Sequence, residues 1–375
     1  MSAVTFPPGL RNVTTPRVFV AATRMNDGKT TTCLGLLGAL APHFPRRGYI
    51  KPVGQRFVEV EEQKIDEDSV LMNRVYQFNT PLVDMSPIAV EPDFTRKYLQ
   101  ASNNEALVRR IQKAFDRVSW EKDFVLVEGS GHAGVGSVFD LSNAAVARQL
   151  GCRAVIVTQG GIGRPIAEVV LNRALFEDEG VEVIGVILNK VLFDKVDYVA
   201  DFARRGLKRK GLELLGVIPS QPMLCSPTRG ASRDELDATV LNTPGDLHGV
   251  VSQVVVAAMS VHNAVRRFTE GALLIFPGDR EDILLAAAAA CSRPGHPGLA
   301  GIILTDAIRP EEGVLNLIRE MRFPVLLVEP ETYVVASRVH DLIVKTRPED
   351  AQKIRLIRDI VARHVDVGRL VALLQ

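Results

Sequence analysis

Val18-Phe19-Val20-Ala21-Ala22-Thr23-Arg24-Met25-Asn26-Asp27-Gly28-Lys29-Thr30-Thr31 is the stretch from which the fold is read. An apolar run with strand character passes through a polar turn into Gly-Lys-Thr-Thr, and Leu34, Leu37 and Leu40 follow at helical spacing. Strand, turn and helix in this order are the setting of a phosphate-binding loop. The amides of Asn26, Asp27, Gly28, Lys29 and Thr30 can wrap a phosphate at the helix N-terminus, where the helix dipole favours negative charge. Gly28 admits close backbone approach, Lys29 supplies a point charge, and the Thr30 hydroxyl suits a Mg²⁺ shell, with Thr31 beside it in the first turn. Thr23 stands where the common phosphate-loop pattern has its first glycine, so the strand and helix around Gly-Lys-Thr carry the reading.

Outward from the loop, short apolar runs alternate with helical patterns, which predicts βα units on a parallel sheet. Strands are expected at Val18–Ala21, Phe124–Val127, Ala154–Thr158 and Val183–Leu188, and helices at 30–40, 104–118, 141–150 and 165–177. This first domain, 17–220, closes at Leu215-Gly216-Val217-Ile218-Pro219, behind a loose lead-in over 1–16. A Ser/Pro/Gly-rich linker over 220–232 leads to a smaller α/β domain, 221–345, with strands near Gln253–Ala257, Leu273–Phe276, Gly301–Leu304 and Val325–Val328. Asp279 is placed to cap one of its helices and Pro310 to enter the first turn of another. A helical segment over 346–375 ends the chain; Thr346 and Glu349 have capping-box spacing, and Ile354, Ile357 and Val361 form one stripe. The expected class is α/β: a P-loop NTPase-like, mostly parallel sheet with helices on both faces, followed by the smaller domain.

Composition narrows the functions. In 375 residues, 45 Lys and Arg nearly cancel 44 Asp and Glu, so no global field points to nucleic acid or an anionic membrane. No apolar run approaches the roughly 18 residues of a membrane span, and no secretory leader is visible at the N-terminus. The four cysteines, Cys33, Cys152, Cys225 and Cys291, are far apart and read as reduced packing residues. A soluble, cytoplasmic protein is expected.

The departure at Thr23 and several later segments resemble dethiobiotin synthetases and cobyrinic acid a,c-diamide synthases. Lys51-Pro52-Val53 is similar to the Lys-Pro-Val after their second strand. Asp68-Ser69-Val70-Leu71 resembles their metal-binding aspartate segment, and Leu126-Val127-Glu128-Gly129-Ser130-Gly131 their Val-Glu-Gly strand end. Ile187-Leu188-Asn189-Lys190 and Gly216-Val217-Ile218-Pro219 resemble their base-pocket strands. A likeness covering nearly the whole chain is to the N-terminal, non-catalytic half of long bacterial phosphate acetyltransferases, with a DRTGG domain opening at Ser226-Pro227-Thr228. Val254–Ser260 and Leu274–Asp282 carry that part of the likeness.

The resemblance implies ATP and Mg²⁺ as cofactors. Thr30, Asp68 and Glu128 would hold the metal, with Asp66 competing for the place of Asp68. Lys29 and Lys51 would be catalytic, Lys51 holding a small carboxylate or carbamate beside the γ-phosphate, and Asn189 and Pro219 would line the base pocket. Each carboxylate has a plainer reading as a solvated loop group, and Lys51 as a surface lysine. Gly54-Gln55-Arg56 stands where the synthetases have a serine, which leaves the substrate open. Leu192 stands where a guanine-reading aspartate belongs, so ATP is preferred to GTP. His132 reads as a loop histidine, and Arg24 as a candidate arginine finger across a dimer. The resemblance further implies a homodimer, and it suggests a separate acetyltransferase as partner, because the catalytic domain that follows in those proteins has no counterpart before Gln375. Three functions stay open at this point: a nucleotide-dependent regulator or sensor, an ATP-dependent synthetase acting on a small carboxylate, and a subunit of a separate phosphotransacetylase.

Overall fold

The structure, a computed structural model, describes residues 9–101, 103–225, 236–242, 251–291, 298–341 and 346–375. Most of the linker expectation, the Ser226-Pro227-Thr228 opening and the first half of the lead-in lie outside the described residues. The chain forms two compact units: Met1–Ser220 joined by Thr346–Gln375, and Gln221–Lys345.

The first unit is built on six parallel strands, ordered Leu214–Pro219, Val183–Val191, Arg153–Gln159, Arg17–Ala22, Phe124–Glu128, Arg47–Ile50. Arg17–Ala22 and Phe124–Glu128 are buried throughout. Strands covered on both faces need continuous apolar residues, which explains why runs rather than alternation marked them in the sequence. Because the strands are parallel, their carboxyl ends share one edge. The chain leaves Arg17–Ala22 towards one side of the sheet and later returns to its other side, so the crevice that favours ligands in open α/β sheets opens at the end of this strand.

Helix Lys29–Ala39 follows the loop and packs against helix Ala351–His364. The contact depends on Gly35: a Cβ there would run into both methyl groups of Val361. Gly216 similarly lies against the backbone of His364 and Val365 and forms a bridge to Val365. The terminal segment is thus fastened to the helix that carries the phosphate loop and to the edge strand Leu214–Pro219. Gly35→Leu is expected to destabilise the ligand-free first unit by about 1–3 kcal/mol through overpacking. Gly35→Leu combined with Val361→Ala should recover part of that loss, read as the thermal midpoint.

Three cap expectations are corrected. Helix Ala351–His364 starts beyond the Thr346/Glu349 pair; Asp350 precedes it and accepts from the Arg347 amide at 2.9 Å. Helix Glu281–Cys291 is entered through Arg280, whose carbonyl accepts from Ile283 and Leu284, so Asp279 sits one residue too early to cap it. Glu311 is the N-cap of helix Glu312–Arg319, which leaves Pro310 outside. Each corrected position lies within a few residues of the observed helix start, where boundaries are least fixed by sequence.

The second unit has four parallel strands, Gln253–Val256, Ala272–Pro277, Gly301–Thr305 and Val325–Leu327, with Thr239–Val240 antiparallel at the edge. Leu274, Phe276, Ile302 and Leu304 meet Ile283, Leu315 and Ile318 on one face. Leu273, Ile275 and Ile303 meet Val335 and Val339 on the other. Successive residues of one strand therefore enter opposite cores. Among the described residues, no helix is long and apolar enough to cross a membrane, and Cys33 and Cys152 are buried free thiols.

Candidate functional site

The phosphate loop is held from beneath by side chains. Thr23 Oγ1 donates to Asp27 Oδ2 at 2.7 Å and shares a 2.8 Å hydrogen bond with Thr158 Oγ1 of the neighbouring strand. The Arg24 amide also donates to Asp27 Oδ2, at 2.8 Å. Asp27 therefore points its buried carboxylate into the loop's own base, and only its backbone is offered to a phosphate. Burial pushes its carboxyl above the usual range, against the Thr23 hydrogen bond. Thr23 compensates for the absent glycine by acting as a strut.

Asn189 closes the loop from the side. Its Nδ2 donates to the Asp27 carbonyl at 2.9 Å, and Lys190 Nζ donates to the Asn26 carbonyl at 2.6 Å. Gly28 has φ 86° and caps helix Lys29–Ala39, and a Cβ on it would overlap the Asn189 amide. Two independent constraints thus require glycine at 28. Gly28 offers no side-chain cap, so the first-turn amides of the helix stay available to an anion. Pro219 lies at the carboxyl end of its strand, paired in register with Val191.

Below the first turn, Thr30 Oγ1 donates to Glu128 Oε1 at 2.6 Å and approaches Asp68 Oδ2 at 3.1 Å. Glu128 is fully buried and its Oε2 accepts from Tyr49 Oη at 2.9 Å. Lys51 Nζ, also buried, contacts Asp66 Oδ1 at 3.0 Å and bonds Asp68 Oδ2. Asp66 caps helix Glu67–Tyr76 by accepting from the Asp68 amide at 2.9 Å. The reading of 66–68 as an exposed acidic loop is therefore corrected, since both aspartates are buried. Asp66 has no direct contact with Thr30 and is tied to its cluster through Lys51 and the Asp68 amide, and its Oδ2 is a buried atom without a protein partner.

These carboxylates are costly to ionise. Burial raises the Glu128 carboxyl, Asp68 raises it further, and Lys51, Lys29 and the Thr30 hydroxyl oppose. Burial likewise raises Asp66 against the pull of Lys51. For Lys51, burial opposes charge but is outweighed by Asp68, Asp66 and Glu128, so the ammonium is held charged. A raised carboxyl keeps its proton in the folded state when the unfolded chain has already lost it. Stability of the ligand-free unit should therefore fall as pH rises from the ordinary glutamate value of 4.5 through the folded pKa. Glu128→Gln should flatten that decline in midpoints recorded against pH.

Among the described residues, no group of three or more His, Cys, Asp or Glu side chains forms a metal cage. A cation bound to phosphate asks for less, namely one or two carboxylates, a hydroxyl, water and the phosphates. Thr30, Asp68 and Glu128 fit that demand, since one hydroxyl touches two carboxylates under strong desolvation. Arg24 is paired with Glu168 of its own chain, which also receives Arg164 Nε at 2.8 Å, so its guanidinium is engaged without a partner subunit. His132 Nδ1 accepts from the Gly134 amide at 3.2 Å within an exposed turn.

Sequence reasoning missed Tyr49, Thr158 and Asn143. Asn143 holds the loop after Glu128, accepting from the Ser130 amide at 2.9 Å and donating to the Ser130 and His132 carbonyls. Ser130 Oγ in turn bonds the Val53 carbonyl. None of the three carries a motif, although a tyrosine or threonine inside an otherwise apolar strand is a signal that a polar partner waits at its end.

A parallel sheet with a phosphate loop at its switch point, followed by a second small α/β unit, defines a P-loop NTPase-like chain with an appended domain. It belongs to the AAA_26 family (AAA domain), whose model matches residues 16–228, and a DRTGG domain matches 233–342. Phosphate acetyltransferase of Nitratidesulfovibrio vulgaris is 26% identical over 363 residues, spanning 94% of this chain and 51% of that protein. Phosphate acetyltransferase of Pseudomonas putida is 30% identical over 365 residues, with the same 94% and 51%. The chain thus spans about half the length of these relatives, matching their N-terminal half. Among solved structures, the MinC:MinD cell division complex of Aquifex aeolicus is similar with a TM-score of 0.37 and 18% identity, covering 56% of this chain and 83% of that one.

Proposed function

We propose that the first unit binds Mg-ATP and that the chain is a nucleotide-dependent regulatory or sensor protein of the dethiobiotin synthetase-like class. The observation that carries the reading is the meeting of Thr30 with Glu128 and Asp68 directly behind Gly28-Lys29, at the carboxyl edge of a parallel sheet. Asn26 to Thr30 would cradle the phosphates, Lys29 would match their charge, and Thr31 would complete the first turn. Thr30, Asp68 and Glu128 would hold Mg²⁺, which supplies charge neutralisation to the phosphates when bound. Asn189 and Pro219 would border the base.

The regulatory reading is preferred to synthesis because Lys51 is already matched by two carboxylates and buried beside them. An ammonium in that state has little to offer a substrate carboxylate. The second reading, ATP-dependent activation of a small carboxylate, would require Lys51 to exchange Asp66 or Asp68 for substrate; the buried, unpartnered Asp66 Oδ2 is the observation that favours it. A homo-oligomer and a cytoplasmic setting belong to the same proposal.

Calorimetry should show Mg-ATP or Mg-ADP binding more tightly than Mg-GTP, because Leu192 offers no carboxylate to guanine and Asn189 is committed to the loop. Tighter GTP binding would overturn the nucleotide assignment. Thr30→Val should remove the Mg²⁺-dependent part of the affinity while leaving a metal-independent remainder carried by Lys29. An ATPase assay with and without a panel of small carboxylates separates the two readings: carboxylate-stimulated turnover would replace sensing by synthesis.

A further inference from the structure

Helix Val196–Lys208 buries Val199 and Ala203 against Leu188, Val191 and Val217, with Leu207 also buried, and that inner face accounts for its place in the fold. Its outer face has no such explanation. Phe193, just before the helix, is 78% exposed, and Tyr198 and Phe202 are 60% and 43% exposed. Three of the five exposed aromatic side chains among the described residues thus fall within ten positions, with exposed Leu192 next to them. The Tyr198 and Phe202 rings lie 4.8 Å apart, and Arg205 stacks on Phe202 at 5.6 Å. Clustering of this kind on a surface marks an interaction site.

The charges around the aromatics are biased by end. Asp194, Asp197 and Asp201 outnumber Lys195 towards the N-terminus, and Arg204, Arg205, Lys208, Arg209 and Lys210 stand towards the C-terminus. This order suits the helix dipole by itself, but the dipole gives no reason to expose Tyr198 and Phe202 between the charged ends, or Phe193 just before them. At 100° per residue, Tyr198, Phe202, Arg205 and Arg209 share one face. A surface that is acidic at one end, basic at the other and aromatic between is complementary to itself turned through 180°.

We infer that this face is a two-fold interface with a second copy of the chain, the two helices running antiparallel. It rests on the reading that the chain self-associates, but not on the nucleotide assignment. A two-fold axis beside Asp201 and Phe202 sets the Asp194/Asp197 end of one copy against the Lys208/Arg209 end of the other, and brings each Tyr198 towards the partner's Arg205. Such an isologous contact closes on itself and yields a dimer rather than a fibre. A single helix of 13 residues presents less than a standard interface, so the expected dimer is weak, with a Kd on the order of 10 µM, and it loosens with salt.

Sedimentation of the full chain tests this with two charge-reversed variants, Asp194→Lys/Asp197→Lys and Lys208→Glu/Arg209→Glu. Neither touches the Asp201–Arg205 pair at 3.0 Å within the helix, and unchanged circular dichroism and melting would confirm that both fold. Each variant alone faces like charge at both ends of the interface and should dimerise about tenfold more weakly than the native chain. An equimolar mixture has opposite charge at both ends, and dimer should return as a mixed species. A native chain that stays monomeric at 100 µM in low salt, roughly ten times that Kd, would overturn the self-association reading itself. A native dimer that both variants retain would leave self-association standing and remove this helix from the interface. Weakening without recovery in the mixture would overturn the antiparallel arrangement.

Discussion

Saturating Mg-ATP should raise the melting temperature of the first unit by roughly 5–11 °C, and Lys29→Ala should abolish most of that rise. A ligand that binds only the folded state at a hundredfold excess over its Kd adds about 2.7 kcal/mol. For a unit of about 250 residues each kcal/mol moves the midpoint by roughly 2–4 °C. Lys29 is the first residue of its helix, half-buried at the mouth of the loop, and the loop is braced independently by Thr23, Asp27, Thr158 and Asn189. Its truncation should therefore leave the ligand-free midpoint nearly unchanged. Differential scanning calorimetry with and without nucleotide reads both quantities. An equal ATP shift in the native chain and in Lys29→Ala would move the nucleotide site elsewhere.

Lys51→Met should show the opposite pattern, a large loss of stability before any ligand is added. Lys51 is the buried counter-charge of both Asp66 and Asp68. Removing one member of a buried ionic cluster costs about 3–5 kcal/mol, because the remaining charges stay desolvated. That corresponds to a fall of roughly 6–20 °C for a unit of this size. Lys51→Met combined with Asp66→Asn and Asp68→Asn should recover much of the loss by removing the orphaned charges. Thermal unfolding of the ligand-free variants is the measurement. A Lys51→Met protein that melts like the native chain would show that the cluster is not structural and would return Lys51 to a substrate-facing role. The two lysines named together in the sequence are thus expected to separate, Lys29 acting on binding and Lys51 on folding.

Much of the fold was legible because its signals are local. Apolar runs located all eight expected strands to within a few residues, since strands buried on both faces need them. The phosphate loop was legible without its first glycine because a strand, a polar turn, Gly-Lys-Thr and a helical leucine stripe all lie within about two dozen residues. The Phe57–Val60 and Gln63–Asp66 hairpin was not legible. Its turn puts Glu61 and Glu62 at φ 49° and 62°, where glycine or asparagine is the usual sign.

That hairpin delivers Asp66 to the N-cap beside Lys51, so the character of the ion cluster was settled by tertiary structure. So was the docking of Ala351–His364 onto the phosphate-loop helix, for nothing near Val361 in the sequence announces Gly35 as its socket. The turning inward of Asp27 and Asn189, and the reach of Tyr49 to Glu128, belong to the same class. By itself the sequence determined most of the strands, though not Arg47–Ile50 or Thr239–Val240, together with the loop and the residue types gathered at the carboxyl edge of the sheet, because periodicity and short motifs act between neighbours in the chain. Only the tertiary structure decided which carboxylates face Thr30 and Lys51, because those choices follow from burial and charge matching between residues far apart in the chain.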